Sequence, residues 1–180
     1  MNAELRALVR ADQADRVPHP VAGTPEYLAL RERDASRRRR LGELLDAGRV
    51  VAPADLYDAA WLLNHGDEVG ELGLAHELAA RAAAAGHGPA RWLAAATLDR
   101  WLMYQGRPQR FGTQFVPDGQ RHRLWDVDPA TTDADRAAHD VPSLAEQEER
   151  AAQLTREQPM PPMADAPWWL QEAMARWSAP

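Results

Sequence analysis

Two histidines and one aspartate are the residues best suited to proton transfer in this sequence. His65 and His76 are candidate general bases, because an imidazole titrates near neutral pH. Asp99 lies in an apolar helical pattern, with alanine, leucine and methionine three and four positions away, so we expect its carboxylate to be buried. A buried carboxylate must be hydrogen-bonded or paired. Asp99 therefore either holds the following loop in place or takes a catalytic role beside the histidines.

The loop that follows Asp99 is rich in hydrogen-bonding groups. The nine residues Gly106-Arg-Pro-Gln-Arg-Phe-Gly-Thr-Gln114 contain two glycines, one proline, two arginines and two glutamines. The guanidinium group of arginine offers a planar fork of donors that suits a carboxylate or a phosphate. The donors expected for Asp99 are the amides of this loop or the side chains of neighbouring arginines. The predicted ligand-binding residues are Arg100, Arg107, Gln109, Thr113 and Gln114.

The same loop does not have the pattern of a nucleotide-binding P-loop. That motif needs Gly-x-x-x-x-Gly-Lys-Ser/Thr after a strand, whereas Gly106 and Gly112 follow a predicted helix and no lysine comes after them. The arginines of the loop, together with Arg121, His122 and Arg123, instead favour a small anionic ligand.

A metal site is an alternative interpretation of the two histidines and the aspartate. On one unbroken helix His65 and His76 would be about 16 Å apart, and only a break at residues 66–70 lets them converge. Two histidines and one carboxylate form a known metal-binding set, but this spacing matches no standard motif. The acidic run from Asp126 to Asp135 lacks the glycine and glutamate of a calcium loop and is better explained by helix capping. We predict neither a metal nor a cofactor.

Composition restricts the class of protein. A chain of 180 residues is long enough for one hydrophobic core, and the absence of cysteine favours a reducing, cytoplasmic environment. A net charge of -6 argues against general nucleic-acid binding. The N-terminus has charges where a signal peptide is apolar, and no run of about 18 apolar residues occurs, so no membrane association is expected.

Apolar periodicity and capping residues predict an all-α fold built from antiparallel helical hairpins. The hairpins are repeat-like, but no period recurs often enough for a true solenoid. A Pro-Asp-Gly turn predicts a small β-hairpin or extended segment near residues 111–127. Helices are predicted over residues 24–47, 53–65, 71–85, 89–104, 132–139, 143–158 and 168–177. Gly48, Gly86 and Gly106 are predicted to end the first, third and fourth of these helices.

The chain divides into three parts at the sequence level. Residues 1–23 form a polar N-terminal segment with a short helix to about Val17, residues 24–158 form the helical domain, and residues 159–180 form a Pro-rich linker and a Trp-rich helix. The helix from Trp168 to Trp177 is expected to pack on its own chain, with homo-oligomerisation through it as the alternative. The arginine run Arg37–Arg40 is interpreted as a solvated face paired with Glu32, Asp34 and Glu43.

Several short motifs resemble a bacterial domain family of unknown function. They are Asn64-His-Gly66, Ala75-His-Glu-Leu-Ala79, Asp99-Arg-Trp-Leu102 and, as the most specific, the loop 106–114. The resemblance covers about residues 50–145 and departs from the family at Asn64, where glutamine is usual, and at Phe111, where tyrosine is usual. It implies a site at these motifs but names no reaction. The alanine-rich helices also resemble tetratricopeptide and Sel1-like helix pairs.

Three functions remain in competition at the sequence level. The first is binding of a small polar or anionic molecule, or of a peptide end, in a pocket lined by the two histidines and the loop. The second is a small metal-independent hydrolase or lyase in which His65 or His76 is the general base and Asp99 orients it. The third is a protein-interaction module that presents the helices or the Trp-rich C-terminus.

Overall fold

The protein is mostly α-helical, with one small antiparallel β-hairpin. The structure, a computed structural model, describes residues 1–164 and 166–178. The chain forms two compact units, a first unit of residues 1–97 and a second unit of residues 98–180. Within the described residues, no helix has the length and apolar character needed to cross a membrane.

Capping residues define the helices of the first unit. The side chain of Asn2 accepts hydrogen bonds from two amides at the start of α1. The Thr24 side chain accepts from the Tyr27 amide at the start of α2, where Pro25 occupies the first turn. Gly48, Gly86 and Gly106 have φ angles of 63°, 84° and 69° and end α2, α4 and α5 as predicted. The helices are α1 (Ala3–Ala14), α2 (Pro25–Asp46), α3 (Pro53–Leu63), α4 (Val69–Ala84) and α5 (Ala90–Met103), the last of which continues into the second unit.

Leucine and alanine form the core of the first unit. α3 and α4 are joined by a short connection and pack closely, because alanines such as Ala59, Ala75 and Ala79 are fully buried between them. Helix α1, which arises in the polar N-terminal segment, contributes Leu5 and Val9 to the same core. The N-terminal helix is therefore an integral part of this unit.

The second unit contains the predicted β-hairpin. Strand β1 (Phe115–Pro117) pairs antiparallel with β2 (His122–Leu124). Helices α6 (Asp133–Ala138) and α7 (Leu144–Glu157) both begin with capping boxes, at Thr132 and Ser143. The C-terminal helix α8 runs over Trp168–Ser178.

Tryptophans form the core of the second unit. Trp125 is fully buried, and its ring centroid lies 5.5 Å from that of Trp169 and 5.7 Å from that of Trp177 in edge-to-face geometry. Helix α8 thus packs on its own unit, while Trp168 remains 56% exposed. Homo-oligomerisation through this helix stays a prediction.

Candidate functional site

The Asp99 carboxylate holds the loop after α5 through main-chain amides. Asp99 is fully buried, and its Oδ1 accepts hydrogen bonds from the amides of Arg110 at 2.7 Å and Phe111 at 2.9 Å. Its Oδ2 accepts from the amide of Thr113 at 3.0 Å and from the Thr113 hydroxyl at 2.8 Å. Among the donors considered from the sequence, the structure selects the loop amides. This geometry matches the structural role, in which the carboxylate holds the loop in place.

Burial and hydrogen bonding act on the Asp99 carboxyl in opposite directions. Burial raises its pKa above the ordinary value, because the low-dielectric interior disfavours the charged form. The donors on Thr113, Phe111 and Arg110 act against this effect by stabilising the carboxylate. The net pKa is raised, so burial outweighs the donors.

The Gln109 side chain joins the loop to the β-hairpin. It is fully buried; Nε2 donates to the carbonyl of Gln114 at 3.1 Å and to that of Trp125 at 2.9 Å, and Oε1 accepts from the amide of Gln114 at 2.8 Å. Both sides of the amide are therefore satisfied within the second unit. Gln114 is 9% exposed, and its own Nε2 donates to the Thr113 hydroxyl at 3.1 Å.

A buried arginine that the sequence did not single out supports the same loop. Arg136 on α6 is 2% exposed, and its Nε donates to the Phe111 carbonyl at 2.9 Å. Its Nη1 contacts the carbonyl of Thr131 and the carboxylate of Asp133. A lone arginine in a short capped helix carries no distinctive sequence signal. Its role follows from the tertiary contact alone.

Two arginines of the loop lie on the rim of a cleft in the second unit. Arg107 and Arg110 are exposed, and the cleft that they border has a volume of about 640 Å³. The acidic groups nearby already accept local hydrogen bonds, Asp128 from the amide of Ala130 and Asp135 from Thr132. Apolar walls are provided by Leu98, Trp101, Leu102, Pro108 and Pro129.

Arg100 lies on α5 and contacts the Tyr104 ring, whose centroid is 5.4 Å from its guanidinium carbon. It is partly buried, and its Nη2 lies 3.5 Å from the Tyr104 hydroxyl. Its Nε is a buried group without a hydrogen-bond partner within the described part of the chain. Arg100 is not among the residues that line the cleft beside Arg107.

His65 is paired with a buried carboxylate in the first unit. Its Nδ1 lies 3.1 Å from Oδ1 of Asp12, which is 1% exposed, and its ring packs edge-on against Trp61 at a centroid distance of 5.8 Å. The His65 carbonyl accepts hydrogen bonds from Arg31 at 2.8 Å and Arg38 at 3.2 Å. The carboxylate partner is Asp12, which the sequence analysis left without a role.

A buried ion-pair network surrounds this pair. Arg16 donates to Asp12 at 2.7 Å and to Asp34 at 2.8 Å, so it bridges α1 and α2. Arg37 is only 8% exposed and contacts Asp34 at 2.9 Å and the carboxylate of Asp15. The interpretation of the arginine run as a solvated face is therefore wrong for Arg37, because α2 turns this side chain toward α1.

His76 has a different partner from His65. Its Nδ1 lies 3.0 Å from the carbonyl oxygen of Ala94 on α5.

Of the predicted site residues, the structure brings Asp99, Gln109, Thr113 and Gln114 together around the loop. That the two histidines face the same cavity as this loop stays a prediction. In the residues that the structure covers, no group of three or more histidines and carboxylates is arranged to hold a metal ion.

The Asp12 carboxyl is held in its charged form. Burial acts to raise its pKa, but hydrogen bonding and charge at His65, the charge of Arg16 and the hydrogen bond from Trp61 together lower the pKa below the usual 3.8. The i,i+4 spacing of Asp12 on α1 and Arg16 just after its end is a local signal of pairing. The long-range partners had no such signal.

Comparison with protein-family models, with curated proteins and with solved structures found no significant match. The likeness of the loop motif to a bacterial domain family stays a prediction.

Replacement of Asp99 by asparagine should destabilise the second unit. The amide nitrogen of asparagine cannot accept, so at least one of the loop amides loses its partner in a buried setting, at a cost of about 2 to 3 kcal/mol. Thr113→Val keeps the Thr113 amide bond and removes only the hydroxyl, so it should cost about 1 kcal/mol. Urea denaturation measures both variants. Equal stability of Asp99→Asn and the wild type would show that the carboxylate does not hold the loop.

Replacement of Asp12 by asparagine should change how stability depends on acidity. Because the folded-state pKa is lowered, the unfolded chain takes up the proton first, so stability is fully present above the usual value of 3.8 and is lost as the pH falls through the lower folded value. Asp12→Asn should lose about 2 kcal/mol at pH 7 and show a shallower decline below about pH 4. Urea titrations at pH 7, 4 and 3 measure this, with Asp46→Asn as an exposed control. Parallel acid declines in Asp12→Asn and the wild type would contradict the assignment.

Proposed function

We propose that this protein binds a small polar or anionic molecule, or the carboxylate end of a peptide, in the cleft beside the loop 106–114. The observation that supports this most directly is the pair of exposed guanidinium groups, Arg107 and Arg110, on the rim of that cleft. The cysteine-free sequence favours the cytoplasm as the compartment.

Buried hydrogen bonds hold the main chain of the loop around Arg110. Asp99 and Gln109 fix the main chain on both sides of Arg110 through buried hydrogen bonds. An arginine mounted on a fixed backbone loses less conformational entropy when it binds an anion than one on a mobile loop. In this proposal Gln109, Thr113 and Gln114 contribute by shaping the loop, and the arginines contact the ligand.

The chemistry of the cleft matches a ligand with an anionic end. Arginine binds carboxylate and phosphate through two parallel donors. The aspartates of the cleft accept hydrogen bonds from their own segment, and the pKa of Asp135 is lowered chiefly by its bonds from Thr132, with a further contribution from the Arg110 charge. The walls of Leu98 and Trp101 supply apolar surface for the rest of the ligand.

A second candidate function is supported by the pair formed by His65 and Asp12. A buried carboxylate hydrogen-bonded to one imidazole nitrogen orients the ring and strengthens its other nitrogen as a base. This arrangement suits a small metal-independent hydrolase or lyase with His65 as the base. Asp12 then takes the orienting role that the sequence analysis gave to Asp99, and His76 is the alternative base.

Removal of both loop arginines should weaken anion binding. Titration calorimetry of the purified protein with citrate, phosphate and a peptide with a free C-terminus should detect at least one ligand, and Arg107→Ala/Arg110→Ala should weaken its binding about tenfold. Arg10→Ala/Arg39→Ala, which removes two exposed arginines of the first unit, is the matched control for the two lost charges. Unchanged affinity in the double variant would contradict the proposal.

The enzymatic alternative makes a different prediction. A panel of ester, amide and lyase substrates should reveal turnover that His65→Gln reduces at least about a hundredfold, in line with the loss of a general base. Asp12→Asn should reduce the same turnover and alter its pH profile. Turnover that survives in folded His65→Gln would rule out His65 as the base.

A further inference from the structure

A second cleft of the second unit lies between strand β2 and helix α7 and has a volume of about 660 Å³. The helix contributes residues at i, i+4, i+7 and i+8 spacing, which place one face of α7 along the cleft. These residues are Leu144, Glu148, Ala151 and Ala152, followed by Thr155 and Arg156. We call this cleft the β2–α7 groove.

Part of the β2–α7 groove is lined by apolar side chains. Its lining includes Leu124, Val127 and the fully buried Trp125, with Leu144 and Ala151 on the helix side. Such a surface favours a hydrocarbon or aromatic body over a hydrated ion, because burial of apolar area is worth about 25 cal/mol per Å².

A hydrogen-bonded contact joins β2 and α7 at one end of the groove. The Thr155 hydroxyl accepts from the His122 amide at 2.9 Å, and its single proton lies within reach of the Ala151 carbonyl at 3.0 Å and the His122 carbonyl at 3.2 Å. His122 lines the groove and is 9% exposed, and its Nδ1 has no hydrogen-bond partner among the residues that the structure describes. A buried ring nitrogen of this kind is normally hydrogen-bonded, and the His122 side chain gives this end of the groove a polar lining.

Positive charge collects at the same end. Arg121 and Arg156 are exposed, although Arg121 also lies 3.5 Å from the Asp118 carboxylate. Arg123 lies over the Trp177 ring with its guanidinium carbon 3.8 Å from the centroid. The nearby Asp126 carboxylate is already occupied, since it accepts from Arg176 and Trp177 at 2.7 Å each.

The other acidic residue of the groove, Glu148, lies eight residues from Arg156 along α7, or about 12 Å along the helix axis. The anionic end of a ligand therefore belongs at the His122 and Arg156 end.

We propose that the β2–α7 groove binds an apolar carboxylic acid of medium length, with its carboxylate at Arg121, Arg156 and His122 and its hydrocarbon part along α7. This site is separate from the cleft beside Arg107 and Arg110. A test of binding in this groove is therefore independent of the function proposed above.

Calorimetric titration with octanoate, acetate and octanol tests the class of ligand. Octanoate should bind at least about tenfold more tightly than acetate, which lacks the apolar body, and than octanol, which lacks the charge. Affinity for octanoate that is no better than for either analogue would overturn the proposal.

Paired variants on α7 test the place of binding. Ala152→Trp fills the groove and should abolish octanoate binding, whereas Ala145→Trp, at an exposed alanine of the same helix outside the groove, should leave it unchanged. Arg156→Ala should weaken binding about three- to tenfold, and Arg150→Ala, which removes an exposed arginine paired with Glu157, should have no effect.

Thermal melting of each variant confirms that it is folded. Loss of octanoate binding in Arg107→Ala/Arg110→Ala but not in folded Ala152→Trp would place the acid in the other cleft and overturn this assignment. A folded Ala152→Trp protein that binds octanoate with wild-type affinity would also overturn it.

Discussion

Buried carboxylates are the constraint on which both units depend. A carboxylate removed from water must be surrounded by donors, because desolvation otherwise costs several kcal/mol per ion. In the second unit Asp99 meets this requirement with the amides of the loop. In the first unit Asp12 and Asp34 meet it with arginine, tryptophan and histidine side chains. In each case the need for donors fastens a segment that local structure alone would leave loose.

The identity of the basic residues matters for this arrangement. The chain has no lysine, and its 21 lysine-or-arginine positions are all arginine. A guanidinium group can donate to two carboxylates from one plane, as Arg16 does between Asp12 and Asp34, whereas an ammonium group acts as a single point charge. The N-terminal helix is thereby joined to α2 by polar contacts as well as by the leucine core. The N-terminal segment is polar in composition and still forms an ordered helix, because its charged side chains pair with those of α2.

In the loop 106–114, buried side chains have their hydrogen-bonding groups satisfied, whereas two arginine side chains are exposed. Gln109 and Asp99 have their hydrogen-bonding groups occupied by the protein itself, so their role is to fix the backbone. Arg107 and Arg110 point outward from that fixed backbone. This division of roles is typical of a preorganised binding site, in which the residues that contact a ligand are held by others that do not.

The sequence by itself determined the helices, their ends and the hairpin, because these depend on periodicity, caps and glycines that act over a few residues. The predicted helix over 53–65 is observed at Pro53–Leu63, and the predicted glycine ends of α2, α4 and α5 are found. It also indicated that Asp99 is buried and that loop amides were among its possible donors.

Only the tertiary structure decided which side chains meet across the chain. His65 and Asp12 are 53 positions apart, and no local pattern connects them. The inward position of Arg37 depends on where α1 packs, since four consecutive arginines point in every direction around a helix and spacing alone does not say which direction is covered. Helical periodicity reports the face on which a residue lies. The partner of that face is set by the packing of distant segments, which local propensity does not encode.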